Sequence, residues 1–72
     1  MPFVLQLLQS DQYIDNVACY HNGNYTAVNY TTQRGRAFVF DDEMKDNPKM
    51  KDLWIDHAVE DVSGSRAYRP YC

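Results

Sequence analysis

The residues of this chain that can do chemistry are few and scattered. Cys19, His21, His57 and Cys72 carry metal-donor atoms, but they lack the closely spaced pairs that mark structural zinc sites. His57 and Asp61 stand four apart, which on a helix makes them neighbours and nothing more. Ser10, Ser63 and Ser65 sit in no nucleophile-elbow pattern. The carboxylate pairs Asp41/Asp42 and Glu60/Asp61 hold the atoms for general acid and base work, which requires them to flank a substrate in a cleft that a small domain rarely supplies. Gly23, Gly35 and Gly64 are too dispersed to cradle a phosphate. These patterns predict a non-enzymatic protein with no catalytic residues, no cofactor and no metal.

Charge is more informative. Ten Asp and Glu face seven Lys and Arg, a net charge of −3. Asp52, Asp56 and Glu60 recur at helical spacing and predict an acidic line along a helix, with Asp41, Asp42, Glu43 and Asp46 crowded before it. Such carboxylates either solvate a helix and favour its N-terminus or steer and complement a basic partner. Their mutual repulsion costs a few tenths of a kcal/mol per pair, and Lys49 offers partial relief. Arg34 and Arg36 flank Gly35 at a predicted hairpin tip, and Arg66 and Arg69 lie among Tyr68 and Tyr71. Cations interleaved with aromatics suit nucleic acid, but the negative balance argues against direct nucleic-acid binding. Six Tyr, three Phe and one Trp exceed what a small core needs, and Tyr, Trp and Arg are the residues that anchor interfaces. The partner-binding candidates are Asp52, Asp56, Glu60, Arg34, Arg36, Tyr25 and Tyr30.

These groups must be positioned by one small domain, residues 1–72. Val4, Leu5, Leu7 and Leu8 predict a first strand that stops at Gln9-Ser10-Asp11. Gln12 to Tyr20 reads as a second, and Asn22-Gly23 as a two-residue hairpin turn, which sets Cys19 against Thr26 and Val17 against Val28. Gly35 is the expected left-handed residue of the next turn, and Ala37-Phe38-Val39-Phe40 the next strand. Asn47 can cap a helix that begins at Pro48. Met50, Leu53, Trp54, Ala58 and Val62 then predict a helix over 48–62 ending at Gly64, and Asp41 to Lys45 can add a helical turn. The tail from Ser65 to Cys72 is an extended arm or a short strand at Ala67-Tyr68. The expected fold class is α+β: an antiparallel sheet of three to four strands in β-β-β-β-α order, with a helix on one face.

The triplet Asn-Tyr-Thr occurs at 24–26 and at 29–31. Both fit the N-glycosylation pattern, which acts only in a secreted chain. Side chains in a strand alternate, so the odd offset puts Tyr25 and Tyr30 on opposite faces, one in the core and one toward solvent or a partner. A single helix covers one face only, so the other is expected to present either Tyr20, Tyr25, Phe38 and Phe40 or Val17, Cys19, Val28, Tyr30 and Val39. An exposed face of that kind implies a partner or a second copy.

So short a chain buries only about 60% of the surface its unfolded form exposes. Two cysteines allow at most one disulfide, and the ordinary expectation is two free thiols in a reducing cytoplasm. No basic leader precedes the apolar run at Val4 and no run reaches the length of a membrane span, which together predict a soluble cytoplasmic protein.

This layout, one small strand-rich domain with an Asp/Glu line on its helix, resembles the small bacteriophage proteins that inhibit host machinery, among them the anti-CRISPR proteins. The resemblance implies an inhibitor in the host cytoplasm that occupies a functional surface of a larger host protein or nucleoprotein complex, either with the acidic line imitating a phosphate backbone or by shape, with aromatic anchors and a few charges. Two other classes follow from the residues themselves. One is a subunit that self-associates through an open sheet face or edge. The other is a small nucleic-acid-binding module built on the Arg and Tyr surfaces.

Overall fold

A computed structural model describes residues 1–64, 66–68 and 70. Four strands form one antiparallel sheet: β1 (Phe3–Leu7), β2 (Tyr13–Cys19), β3 (Tyr25–Thr31) and β4 (His57–Asp61), in the spatial order β3-β2-β1-β4. Between β3 and β4 the chain makes 3-10 turns at Arg34–Arg36, Asp42–Asp46 and Pro48–Met50, then one α-helical turn, α1 (Lys51–Trp54). The α+β class therefore stands, with the helical segment before the last strand and not after it.

The expected helix over 48–62 begins as its cap chemistry dictates. Asn47 accepts from the Lys49 amide at 2.9 Å, and Pro48 occupies the first helical position, where a missing N–H costs nothing. The helix stops at Trp54, and His57–Asp61 lies as a strand along β1. Two pressures explain the switch. Ile55, Val59 and Val62 are β-branched and lose rotamer freedom in a helix. β1, an apolar strand, also needs a ladder partner on its second side, and β4 supplies five paired positions from Phe3↔Asp61 to Leu7↔His57. Tertiary pairing outweighs a helical stripe of modest propensity.

The hairpin departs from its expected register by one residue. Cys19 faces Tyr25, Ala18 faces Thr26 and Val17 faces Ala27. The Tyr20 amide reaches the Asn24 carbonyl at 2.8 Å, which closes a three-residue loop, His21-Asn22-Gly23, with Gly23 alone left-handed at φ 87°. Gly35 is not left-handed; it sits within the Arg34–Arg36 turn, and among the described residues the other positive φ is at Gly64, after β4.

Farther along, the β2–β3 ladder is irregular between Ile14 and Val17. That resets the alternation of both strands together. Ile14 and Val17, three residues apart, both enter the main core. So do Tyr25, 5% exposed, and in part Tyr30, so the two tyrosines share a face instead of taking opposite ones.

The main core joins Phe3, Leu5, Ile14, Val17 and Tyr25 of the sheet to Phe40, Met44, Met50 and Leu53 of the covering segment. Phe3 and Phe40 stack at 5.1 Å between ring centroids. Val4 faces the other way, into a second cluster with Ala37 and Val62 against which Tyr13 and Val39 pack. Both faces of β1 are therefore covered, and neither expected exposed set exists as a unit: Tyr25, Phe40 and Val17 are buried, and only Tyr20 and Val28 stand out. Ala37–Phe40 contributes a single antiparallel bridge, Phe40 to Phe3, and Tyr68 joins Phe40 on its far side as a parallel bridge.

Cys19 is disulfide-bonded, which corrects the expectation of a free thiol there. Cys72, like Ser65, Arg69 and Tyr71, lies outside the described residues, and the expectations placed on those four go with it. Among the described residues no helix is long and apolar enough to cross a membrane.

Candidate functional site

Because the helix ends at Trp54, the acidic line does not form. Asp52 lies on α1, Asp56 in the turn after it and Glu60 on β4, and each meets a different neighbour. Asp52 accepts from the Asn24 side-chain amide at 3.1 Å, which ties α1 to the hairpin loop. Asp56 Oδ1 lies 2.7 Å from His57 Nδ1. Glu60 receives Arg34 Nε at 2.9 Å. Arg36 lies 3.9 Å from the partly buried Asp15, a loose pair. The seven candidates thus form no single surface: Arg34 and Glu60 pair with each other, and Tyr30 and Asp56 converge on a residue that the sequence patterns leave without a role.

That residue is His57, 6% exposed. Its Nδ1 has the Leu53 carbonyl at 2.9 Å and the Asp56 carboxylate at 2.7 Å. Both are acceptors, so Nδ1 carries the proton, and in the neutral ring Nε2 accepts from the Tyr30 hydroxyl at 2.9 Å. The Tyr30 and His57 rings stack at 5.8 Å with 9° between planes. Tyr30 belongs to one edge strand and His57 to the other, so the pair clasps the two edges of the sheet across the face of β1 and β2. Burial and, secondarily, the Asp56 charge push the Tyr30 hydroxyl above its usual range, which keeps the phenol protonated and donating. The result is a satisfied polar bridge inside a small core, of the kind that fixes one arrangement of the elements around it. Its sequence signal was the pairing of one His with a Tyr nearly thirty residues away, which no local spacing can reveal.

A second polar assembly lies at the other end of β1. The N-terminal ammonium meets Asp42 at 2.8 Å, and Lys45 meets both Asp42 and Asp61 at 3.1 Å. Lys45 Nζ also stands 5.4 Å from the Phe3 ring centre. These contacts lower the Asp42 carboxyl below its ordinary value, first through its hydrogen bond with the terminal ammonium, and raise the Lys45 amine, first through Asp61.

The third feature is a cleft of about 480 Å³ beside the hairpin. Tyr25, Met44, Pro48 and Pro70 give it apolar walls, and Glu43, Asp46 and Asn47 give it a polar rim. Lys49 Nζ lies 5.9 Å from the Tyr25 ring centre. The Asp42–Asp46 turn positions the two acids: the Asp41 side chain caps it by accepting from the Glu43 amide at 3.2 Å, and Met44 plugs into the core beneath. An apolar floor under carboxylates suits a chain segment that carries both an apolar and a basic side chain. The sequence marks the acids here but not the hollow, which exists only because Tyr25 turns inward. Among the described residues no group of three or more His, Cys, Asp or Glu is placed to hold a metal ion.

Comparison with protein-family models, with curated proteins and with solved structures finds no match to this chain.

Proposed function

We propose that this is a non-enzymatic binding protein that acts by occupying a functional surface of a larger protein or nucleoprotein complex, as an inhibitor of the anti-CRISPR kind would. The observation that carries the reading is the cleft walled by Tyr25, Met44, Pro48 and Pro70 and rimmed by Glu43 and Asp46. Apolar and aromatic groups under a charged rim are the make-up of a protein interface, where buried anchors supply affinity and rim charges supply rate and register. This moves the recognition surface from the Asp52, Asp56 and Glu60 series to the 43–48 turn.

The test is affinity capture of the tagged protein from a bacterial lysate at low and high salt, run beside the double charge reversal Glu43→Lys/Asp46→Lys. A stoichiometric protein retained by the parent and lost by the reversed variant supports the proposal, provided the variant melts with a normal cooperative transition. Equal retention by both would sink it. Recovery of nucleic acid alone, with affinity falling steeply in salt, would replace it with the nucleic-acid reading.

A further inference from the structure

Two strands of the sheet are edges, and they are built differently. β3 carries no charge, but its ladder is broken near its middle, so an added strand would meet a backbone whose alternation changes partway. β4 is regular over all five residues. Its two carboxylates already have cations on them, Glu60 with Arg34 and Asp61 with Lys45. Exposed apolar side chains gather at its start. Ile55 is 76% exposed and Val59 is 44% exposed. Leu8, at 63%, is joined to this corner by the hydrogen bond its backbone N–H donates to the Asp56 carbonyl at 2.9 Å.

We infer that β4 is the self-association edge and that its occupant is the β4 strand of a second copy. Laid antiparallel about Val59, the sequence His57-Ala58-Val59-Glu60-Asp61 complements itself. Val59 meets Val59 of the second copy, each Ala58 faces a Glu60, and each His57 stands across from an Asp61. Facing positions share a side of the sheet at every pair, because the strand has no irregularity to spoil the match. No carboxylate opposes another carboxylate directly, and each already has a cation, so joining two negatively charged chains here brings little repulsion. The contact is isologous and closes after two copies, giving a continuous eight-stranded sheet with Ile55 and Leu8 flanking the seam. This inference is independent of the cleft, which lies at the hairpin beside β3.

Sedimentation velocity and light scattering over about 10 μM to 1 mM read the result directly. The parent is expected to move from the mass of one 8.4 kDa chain toward twice that value as concentration rises. Val59→Lys places a cation at the two-fold centre, opposite its own copy, and is expected to weaken the dimer at least tenfold. Val28→Lys, on the other edge, is expected to leave it unchanged. Thermal melts of both variants establish that they fold. A parent that stays monomeric throughout, or a dimer lost with Val28→Lys and kept with Val59→Lys, would overturn the inference.

Discussion

The two halves of the sheet are secured by different means. The β2–β3 side is a local hairpin, closed by a three-residue loop, and Cys19 at its end is disulfide-bonded. The β1–β4 side joins residues fifty or more positions apart, with five regular pairs and a network of exposed charges. A hairpin is cheap to close but brings little long-range burial, whereas the non-local pair must repay a larger loop entropy through ladder bonds and core contacts. The comparison teaches that a pair closed by a short loop tolerates a broken ladder, while the long-range pair is built as a regular ladder over core contacts. The Tyr30–His57 clasp then couples the two.

The largest effect expected from this division follows removal of the Cys19 bond. Reduction with a phosphine, or Cys19→Ser, is expected to lower stability by about 2–4 kcal/mol. Hydrogen exchange should report the loss unevenly. Amides of Val17 to Ala27 are expected to exchange faster well before those of Phe3 to Leu7 and His57 to Asp61. Uniform acceleration along both sides would mean that the sheet opens as one unit and that the two halves are not separately secured.

The clasp comes next. Tyr30→Phe keeps the ring and its stack on His57 but leaves Nε2 of a buried imidazole without its donor, at a cost of about 1–3 kcal/mol in denaturant unfolding. The loss should reach both edges, because Tyr30 and His57 sit on opposite ones. A double-mutant cycle with His57→Leu sharpens the point: with both polar partners gone, the added cost of Tyr30→Phe is expected to fall to a few tenths of a kcal/mol. Fully additive losses would show that the 2.9 Å contact carries no coupling.

Glycines give a smaller and more local contrast. Gly23 is left-handed at φ 87°, so Gly23→Ala is expected to cost about 1–2 kcal/mol although no atom lies within 4 Å of the added carbon. Gly35 is helical in its turn and equally open, so Gly35→Ala is expected to stabilise by about 0.4–1 kcal/mol, through the unfolded chain. Chemical denaturation of the two variants side by side tests both signs.

The same two glycines show what the sequence makes legible. Local chemistry was readable: Asn47 and Pro48 start a helical turn, the turn expected at Asp41 to Lys45 forms one residue on at Asp42–Asp46, and Asn22-Gly23 lies in a hairpin loop. What failed depended on distant partners. The stripe from Met50 to Val62 fits a helix well, yet β1 recruits its second half as a strand. The alternation that separated Tyr25 from Tyr30 was sound for a regular strand and broke at an irregularity that no residue between Asp15 and Asn29 announces. The binding candidates depended on that helix and that alternation, so they scattered when both changed, and His57 became the meeting point of Tyr30 and Asp56.

The smallest effect expected is that of pH on the charge network that seats β4 beside the start of β1. Asp42 has a folded-state carboxyl below its ordinary value of 3.8, so its contribution is present above that value and is lost as pH falls through the lowered one. Lys45 behaves oppositely: its amine is raised above 10.5, so its contribution is present below that value and is lost as pH rises through the raised one. Tyr30, raised above 10.0, adds to the alkaline loss, since ionising the phenol removes the proton it donates to His57. Thermal melts from pH 2 to 11 are therefore expected to show a plateau with a shallow acid limb and a steeper alkaline one. Asp42 is exposed and screened, so Asp42→Asn should flatten part of the acid limb, and 1 M salt should do the same. On the alkaline limb the Lys45 part should be screened by salt like the acid limb, whereas the Tyr30 part should persist in salt and disappear in Tyr30→Phe, because it depends on a half-buried hydrogen bond. If salt removes the whole alkaline limb together with the acid one, the clasp is no better shielded than the surface network, and the distinction between the two ends of β1 fails.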